Sequence, residues 1–398
     1  MSGEALAVQI VLICVRLLLP MLIPRFPLPA IVACLIVDSA DQSILQALDV
    51  VVPSYQNIDK ALDVYYLSIA YVATMRNWEN LEALQIARAL FYFRVVGVLA
   101  FELTDERILL AVFPNAFEPF FIYYEFIRMR GNPMKSRKAL VLVTAIIWLV
   151  VKLPHEWWVH VAKLDATDFI KTKILGASLD TSFWLAIVKA PLVTGTLFVL
   201  FAIGILFLWR FLMRRRTEAR LSDARISRIR SRALDRSIDR ALDARDWVDA
   251  RTAPVRPGVM IEKIALITLV SLIFQQTLPG MRVGGWQTAI FIAVTIAVVD
   301  YLLRVIARRF GAQLKPWLEV PLLAAVYFCI VIVLQLLIPF VRPANFLLSG
   351  IVFAALITLF VALYDLYRPL YDQRVDRMTA TRRRRLEGEA DTITESAG

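Results

Sequence analysis

Residues Leu318–Ile338 read LEVPLLAAVYFCIVIVLQLLI, 21 positions with one charged side chain, Glu319. A helix of that length rises about 30 Å, the depth of a bilayer's hydrocarbon layer. The apolar residues are continuous, whereas a strand of a membrane barrel alternates apolar and polar positions over about ten residues. Lipid offers no partner to unpaired backbone groups, so such a run crosses a membrane only as a helix. Runs of the same kind flank it: Met260–Leu278, Trp286–Ile306 and Phe346–Tyr367. Toward the N-terminus come Ser182–Phe211, Ala139–Leu153, Ile108–Ile127 and Leu84–Leu103. Ala61–Thr74 is short, Ala30–Val52 is interrupted by Asp38, Asp41 and Gln42, and Leu6–Ile23 contains Arg16. The expected fold is all-α, a polytopic transmembrane helical bundle of about eleven spans.

The whole composition agrees. Of 398 residues, 59% are hydrophobic and 20% charged, and mean hydropathy is +0.63. A soluble domain is about 45–50% apolar and about 25% charged. This excludes an ordinary soluble enzyme, a disordered chain and a disulfide scaffold. The net charge of +11 on a soluble chain would point to nucleic acid. Here the basic residues lie between and after the apolar runs, where they set orientation and meet anionic lipid headgroups, so no nucleic-acid partner is expected. Basic residues gather in Arg128–Lys138, in Arg214–Arg256, at Arg304, Arg308, Arg309 and Lys315, and from Arg368 to Arg385. The alternate connections Pro279–Gly285 and Pro339–Asn345 carry one arginine each. The positive-inside rule then puts the basic set and the C-terminus in the cytoplasm. The first apolar run lacks a basic leader and a small-residue cleavage site, and is expected to stay as a span.

Four segments are expected: an N-terminal membrane bundle (1–212), an Arg-rich amphipathic linker (213–258), two repeated transmembrane hairpins (259–370) and a disordered cytoplasmic tail (371–398). In the linker, Arg232-Ala-Leu-Asp235, Arg236-Ser-Ile-Asp239 and Arg240-Ala-Leu-Asp243 repeat every four residues. Leu234, Ile238 and Leu242 then form one apolar stripe, which suits either a connector on the membrane face or a dock for a cytoplasmic protein or anionic headgroups. In the hairpins, Gln275-x-x-x-Pro279-x-x-Arg282 recurs as Gln335-x-x-x-Pro339-x-x-Arg342. Glu262 and Glu319 open the two copies, and Asp300 with Arg304 and Asp365 with Arg368 close them. Duplicated helical units are common in transporters, where sites form at repeat interfaces.

Ionisable groups inside apolar runs mark candidate sites, because each costs about 2.5–3.5 kcal/mol at mid-membrane on insertion scales. The set is Asp38, Asp41, Asp63, Arg94 and Glu118. Asp38, Asp41 and Gln42 share one helix face, and Asp59, Lys60 and Asp63 open the third run ahead of Tyr65, Tyr66 and Tyr71. Such groups must be paired, neutralised or exposed to a water-filled cavity. Arg94 is the expected partner of Asp38, Asp41 or Glu118. One carboxylate would remain in surplus, the usual setting for ion or proton coupling. The bland alternative is a polar knot that fixes helix register.

Other motifs carry less. The histidines are His155 and His160, in Pro154-His-Glu-Trp-Trp-Val-His160, which is not the H-E-x-x-H of zinc peptidases. Trp157 and Trp158 suit a membrane-surface turn. His160-Val-Ala-Lys-Leu-Asp165 has the H-x-x-x-x-D spacing of glycerolipid acyltransferases over six residues, without their soluble domain. Cys14, Cys34 and Cys329 lie in apolar runs without metal-ligand spacing. No P-loop, G-x-G-x-x-G, G-x-S-x-G or EF-hand pattern occurs, so neither cofactor nor metal is expected.

Asp59-Lys-Ala-Leu-Asp-Val-Tyr-Tyr66, running on to Arg76-Asn-Trp78, together with Asp38–Gln42, resembles multi-pass membrane proteins of GC-rich bacteria that have no assigned activity. The excess of arginine over lysine, 35 to 10, agrees with such a genome. The resemblance implies an inner-membrane location. Three functions stay open from the sequence: a transporter or channel with a polar cavity in its N-terminal half, a membrane-embedded enzyme acting on a lipid or polyprenyl-linked substrate at the outer face, and a non-catalytic membrane subunit.

Overall fold

The computed structural model of the chain describes residues 3–47, 55–104, 106, 108–130, 136–156, 170–176, 257–277, 284–310, 316–337 and 349–396, with scattered positions between 178 and 199. Among these residues every regular element is helical and no strand occurs. The first helices are α1 (Gly3–Leu18), α2 (Pro27–Ala47), α3 (Tyr55–Asn77) and α4 (Leu81–Thr104). They are followed by α5 (Ile108–Val112), α6 (Phe117–Arg130) and α7 (Arg137–Ile146), which runs on through a wider turn, Ile147–Lys152, to Glu156. The last four are α8 (Pro257–Thr277), α9 (Gly285–Phe310), α10 (Pro316–Leu337) and α11 (Ile351–Ser396).

Local chemistry sets many of the boundaries. Proline opens α2, α8 and α10, where its missing N–H has no intrahelical partner to lose. The Asn80 side chain caps α4, accepting from the backbone N–H of Glu82 at 3.0 Å and of Ala83 at 3.3 Å. Arg374 caps the other side of that turn, donating to the carbonyls of Met75 (2.9 Å), Arg76 (2.5 Å) and Trp78 (2.7 Å) at the end of α3.

Among the described residues, four helical stretches are long and apolar enough to cross a membrane: Leu81–Thr104, Pro257–Gln275, Gly285–Leu302 and Ile351–Asp376. Their packing suits lipid. On α9 the exposed face carries Trp286, Ile290, Val294, Val298 and Leu302, four apart, while Thr288, Ile292, Thr295 and Val299 are buried. A soluble helix reverses that pattern, since a continuous exposed apolar stripe is unfavourable in water.

Two sequence expectations change. Ile108–Ile127, read as one span, is broken over the non-helical residues 113–116, because Pro114 removes a backbone donor and disfavours helix at Phe113. Residues 371–396, read as a disordered tail, continue α11 as helix past Pro369. Arg and Glu supply nine of its 26 residues and are good helix formers, and no proline follows Pro369.

By internal contacts the chain divides into two units: Met1–Ala70 with Ala89–Ala233, and Tyr71–Arg88 with Leu234–Gly398. In the first, α2 packs on α1 and α6. In the second, α8 packs on α9 and α11, and α10 packs on α9 and α11. The two hairpins of the repeat, α8–α9 and α10–α11, therefore interlock as a four-helix unit. The linker 213–256, the outer turns Pro279–Arg282 and Pro339–Arg342, and His160 lie outside the described residues.

Candidate functional site: one guanidinium among four carboxylates

Arg16 projects from an apolar run of α1 and is buried. Its guanidinium has four N–H bonds on the two terminal nitrogens. Each terminal nitrogen meets two carboxylates. Nη1 donates to Asp41 at 2.5 Å and to Asp59 at 2.8 Å. Nη2 donates to Asp38 and, at 3.0 Å, to Asp63. Two of these acids come from α2 and two from α3, so one side chain ties three helices together.

The helices position the acids by simple spacing. Asp38 and Asp41 are three apart on α2, and Asp59 and Asp63 four apart on α3, so each pair shares a face. The Tyr65 hydroxyl donates to the carbonyl of Leu17 at 2.9 Å and holds α3 against α1 beside Arg16. Lys60, between the two α3 acids, contacts Asp59 at 3.1 Å and Asp63 at 3.6 Å. Asp41 is 2% exposed, whereas the Asp38 side chain is 27% exposed. The cluster is open to its surroundings at Asp38 and at Asp59, whose side chain is 22% exposed.

The balance of charge is uneven. Four carboxylates, Asp38, Asp41, Asp59 and Asp63, face two cations, Arg16 and Lys60. Were all six groups ionised, two negative charges would be left over in a mostly apolar setting. Carboxylate oxygens of Asp38, Asp41 and Asp59 lie within 4.8 Å of one another, close enough to share a metal ion. Hard cations take such oxygen sets. Protonation neutralises the same surplus, since carboxylates in contact cannot all stay ionised.

Arg94 does not join this cluster. It is buried, and its Nη1 donates to the carbonyls of Phe113 (2.9 Å) and Leu110 (3.5 Å) at the break between α5 and α6. The expected pairing of Arg94 with Asp38, Asp41 or Glu118 is replaced by this capping role, because the broken helix leaves carbonyls that need donors. Gly97 permits the close approach: a Cβ there would collide with the Phe113 side chain. Glu118, also buried, begins the far side of the break. It accepts from the Tyr66 hydroxyl and from Asn115 Nδ2 (3.1 Å), and Lys152 approaches to 3.8 Å.

Of the five predicted residues, the structure thus brings Asp38, Asp41 and Asp63 together and places Arg94 and Glu118 at the helix break. Arg16, Asp59 and Lys60 complete the site. Their signal was present in the sequence: Arg16 is the cation inside the first apolar run, and Asp59-Lys60 stands one turn before Asp63. Comparison with known protein families, with curated proteins and with solved structures finds no match.

Proposed function

We propose that the chain is a polytopic inner-membrane protein of about eleven spans, with its basic segments and C-terminus in the cytoplasm. It carries or conducts a small cation, a proton or a metal ion, through the Arg16 centre. Anionic lipid headgroups meet its basic edges, and segment 213–258 docks a cytoplasmic partner. The observation that supports transport is the surplus of two carboxylates over cations around Arg16. A knot that served only to fix helix register would be expected to balance its charges, because each unpaired ion in an apolar interior costs several kcal/mol. A centre that takes up and releases a cation needs such a surplus.

The test is charge movement. Purified protein in proteoliposomes adsorbed to a solid-supported membrane is subjected to jumps in proton, sodium, potassium or magnesium concentration. A transient current is expected for at least one of these ions. Asp41→Asn, checked as folded by size-exclusion profile, removes it. Currents that are equal in the variant, or absent for all four ions in the wild type, contradict the reading.

A further inference from the structure

The second unit holds an ionisable centre of its own. Four helices each send one side chain to it: Lys263 from α8, Asp300 from α9, Tyr327 from α10 and Asp365 from α11. The Lys263 ammonium, 2% exposed, lies 3.0 Å from Asp300 and 2.9 Å from Asp365. The Tyr327 hydroxyl donates to Asp300 at 2.5 Å. Asp300 and Asp365 lie on the second helix of their hairpins, 25 and 30 residues after Gln275 and Gln335, so each hairpin delivers one acid to one cation. In the first hairpin Lys263 follows Glu262, whereas in the second Val320 follows Glu319.

A second observation points to a ligand. Ser271 on α8, Thr295 on α9 and Thr358 on α11 are buried, and their hydroxyl oxygens have no hydrogen-bond partner. Several other helical hydroxyls return to the carbonyl four residues back, as Ser39, Ser68, Thr104, Thr144 and Thr196 do. These three forgo even that bond. A buried hydroxyl without a protein partner marks a place for ordered water. All three stand on the same side of the Lys263 layer. At 1.5 Å per residue, Ser271 lies ~12 Å from Lys263, Thr295 ~7.5 Å from Asp300, and Thr358 ~10.5 Å from Asp365 along their helices. Beyond them Thr288 donates to Gln275 at 2.5 Å, both buried. Polar groups thus recur from the outer end of the unit down to the lysine.

We propose that Asp365, with Lys263 and Asp300, is a proton-binding site supplied by water on Ser271, Thr295 and Thr358. The ammonium already occupies the position between the carboxylates, so a metal ion would have to displace it, and a proton does not. The Asp365 side chain is 18% exposed, more than the 10% of Asp300. The proton therefore goes to Asp365. One O–H bond of a hydronium breaks, one forms on the Asp365 carboxylate, and a neutral water is left behind. Lys263 keeps its three protons and is then held by Asp300, which shifts its attachment from α11 to α9.

The other charged groups nearby are accounted for. Glu262, beside Lys263 on α8, is held by Tyr71, Arg88 and Arg368. Arg368 on α11 also bonds Asp372 and Tyr364. Arg304 follows Asp300 by four positions on α9, and α10 contributes Tyr327. This inference stands on the second unit alone and survives if the Arg16 centre carries no ion.

Infrared difference spectra of the full chain in lipid nanodiscs, recorded on pH steps, test it. A protonated-carboxyl stretching band that titrates is expected. Asp365→Asn abolishes the band, and Asp365→Glu, which keeps the acid, moves it. Thr358→Val leaves its amplitude but slows its exchange in heavy water roughly tenfold or more. Three results overturn the proposal: no titrating carboxyl band in the wild type, a band untouched in both Asp365 variants, or a band that responds to sodium at fixed pH. Exchange unchanged in Thr358→Val overturns the water supply.

Discussion

Arg16 is the residue on which the first unit turns. Its guanidinium is a planar fork, and both terminal nitrogens are fully engaged with acids from α2 and α3. Arg16→Gln leaves four carboxylates with Lys60 alone, and removing one partner of a buried ion pair costs about 3–5 kcal/mol. A lowered thermal unfolding midpoint in detergent is the expected result, and an unchanged midpoint would refute the pairing. Arg16→Lys falls between, since an ammonium has three donors for four acceptors. The shared face of Asp38 and Asp41 was legible from spacing alone. Their partner was not, because Arg16 stands 22 to 47 positions away from its four acids and local periodicity does not encode which helices meet.

At the level of elements, the break between α5 and α6 shows how one proline reshapes its neighbours. Pro114 ends a helix inside an apolar run, and the freed carbonyls recruit Arg94 away from the acids. Gly97 then supplies the clearance against Phe113. Arg94→Met strands those carbonyls and is expected to cost about 1–3 kcal/mol. Gly97→Ala overpacks the same contact, at about 1–3 kcal/mol. Chemical denaturation of the purified variants measures both, and a Gly97→Ala protein as stable as the wild type would show that the approach is looser than described. Pro114 and Arg94 were each visible in the sequence. Their connection was not, because an arginine in an apolar helix suggests an acid as its partner more readily than a carbonyl.

At the level of the whole molecule, the hydropathy pattern located α4, α8, α9 and α10 to within a few residues, because continuous apolar runs have one solution in lipid. The tail was misread because charge density alone does not separate a solvated helix from a disordered chain. Orientation is testable by labelling. With Cys14, Cys34 and Cys329 replaced, Gly284→Cys is expected to react with an impermeant thiol reagent from outside the cell. Ser396→Cys is expected to react only after permeabilisation. The reverse pattern would invert the topology.

The central claim is that the Arg16 centre holds more carboxyl groups than its cations can pair. Neutralising one acid should then relieve repulsion and raise stability, the sign expected where function is kept at the expense of stability. Asp38→Asn keeps the shape of the side chain and an oxygen for Arg16. The deciding measurement is its thermal unfolding midpoint beside that of the wild type, in the same detergent at neutral pH. A higher midpoint for Asp38→Asn is the result this account predicts. A midpoint lowered by the loss of that single charge would mean that the four acids and their cations form a balanced structural knot.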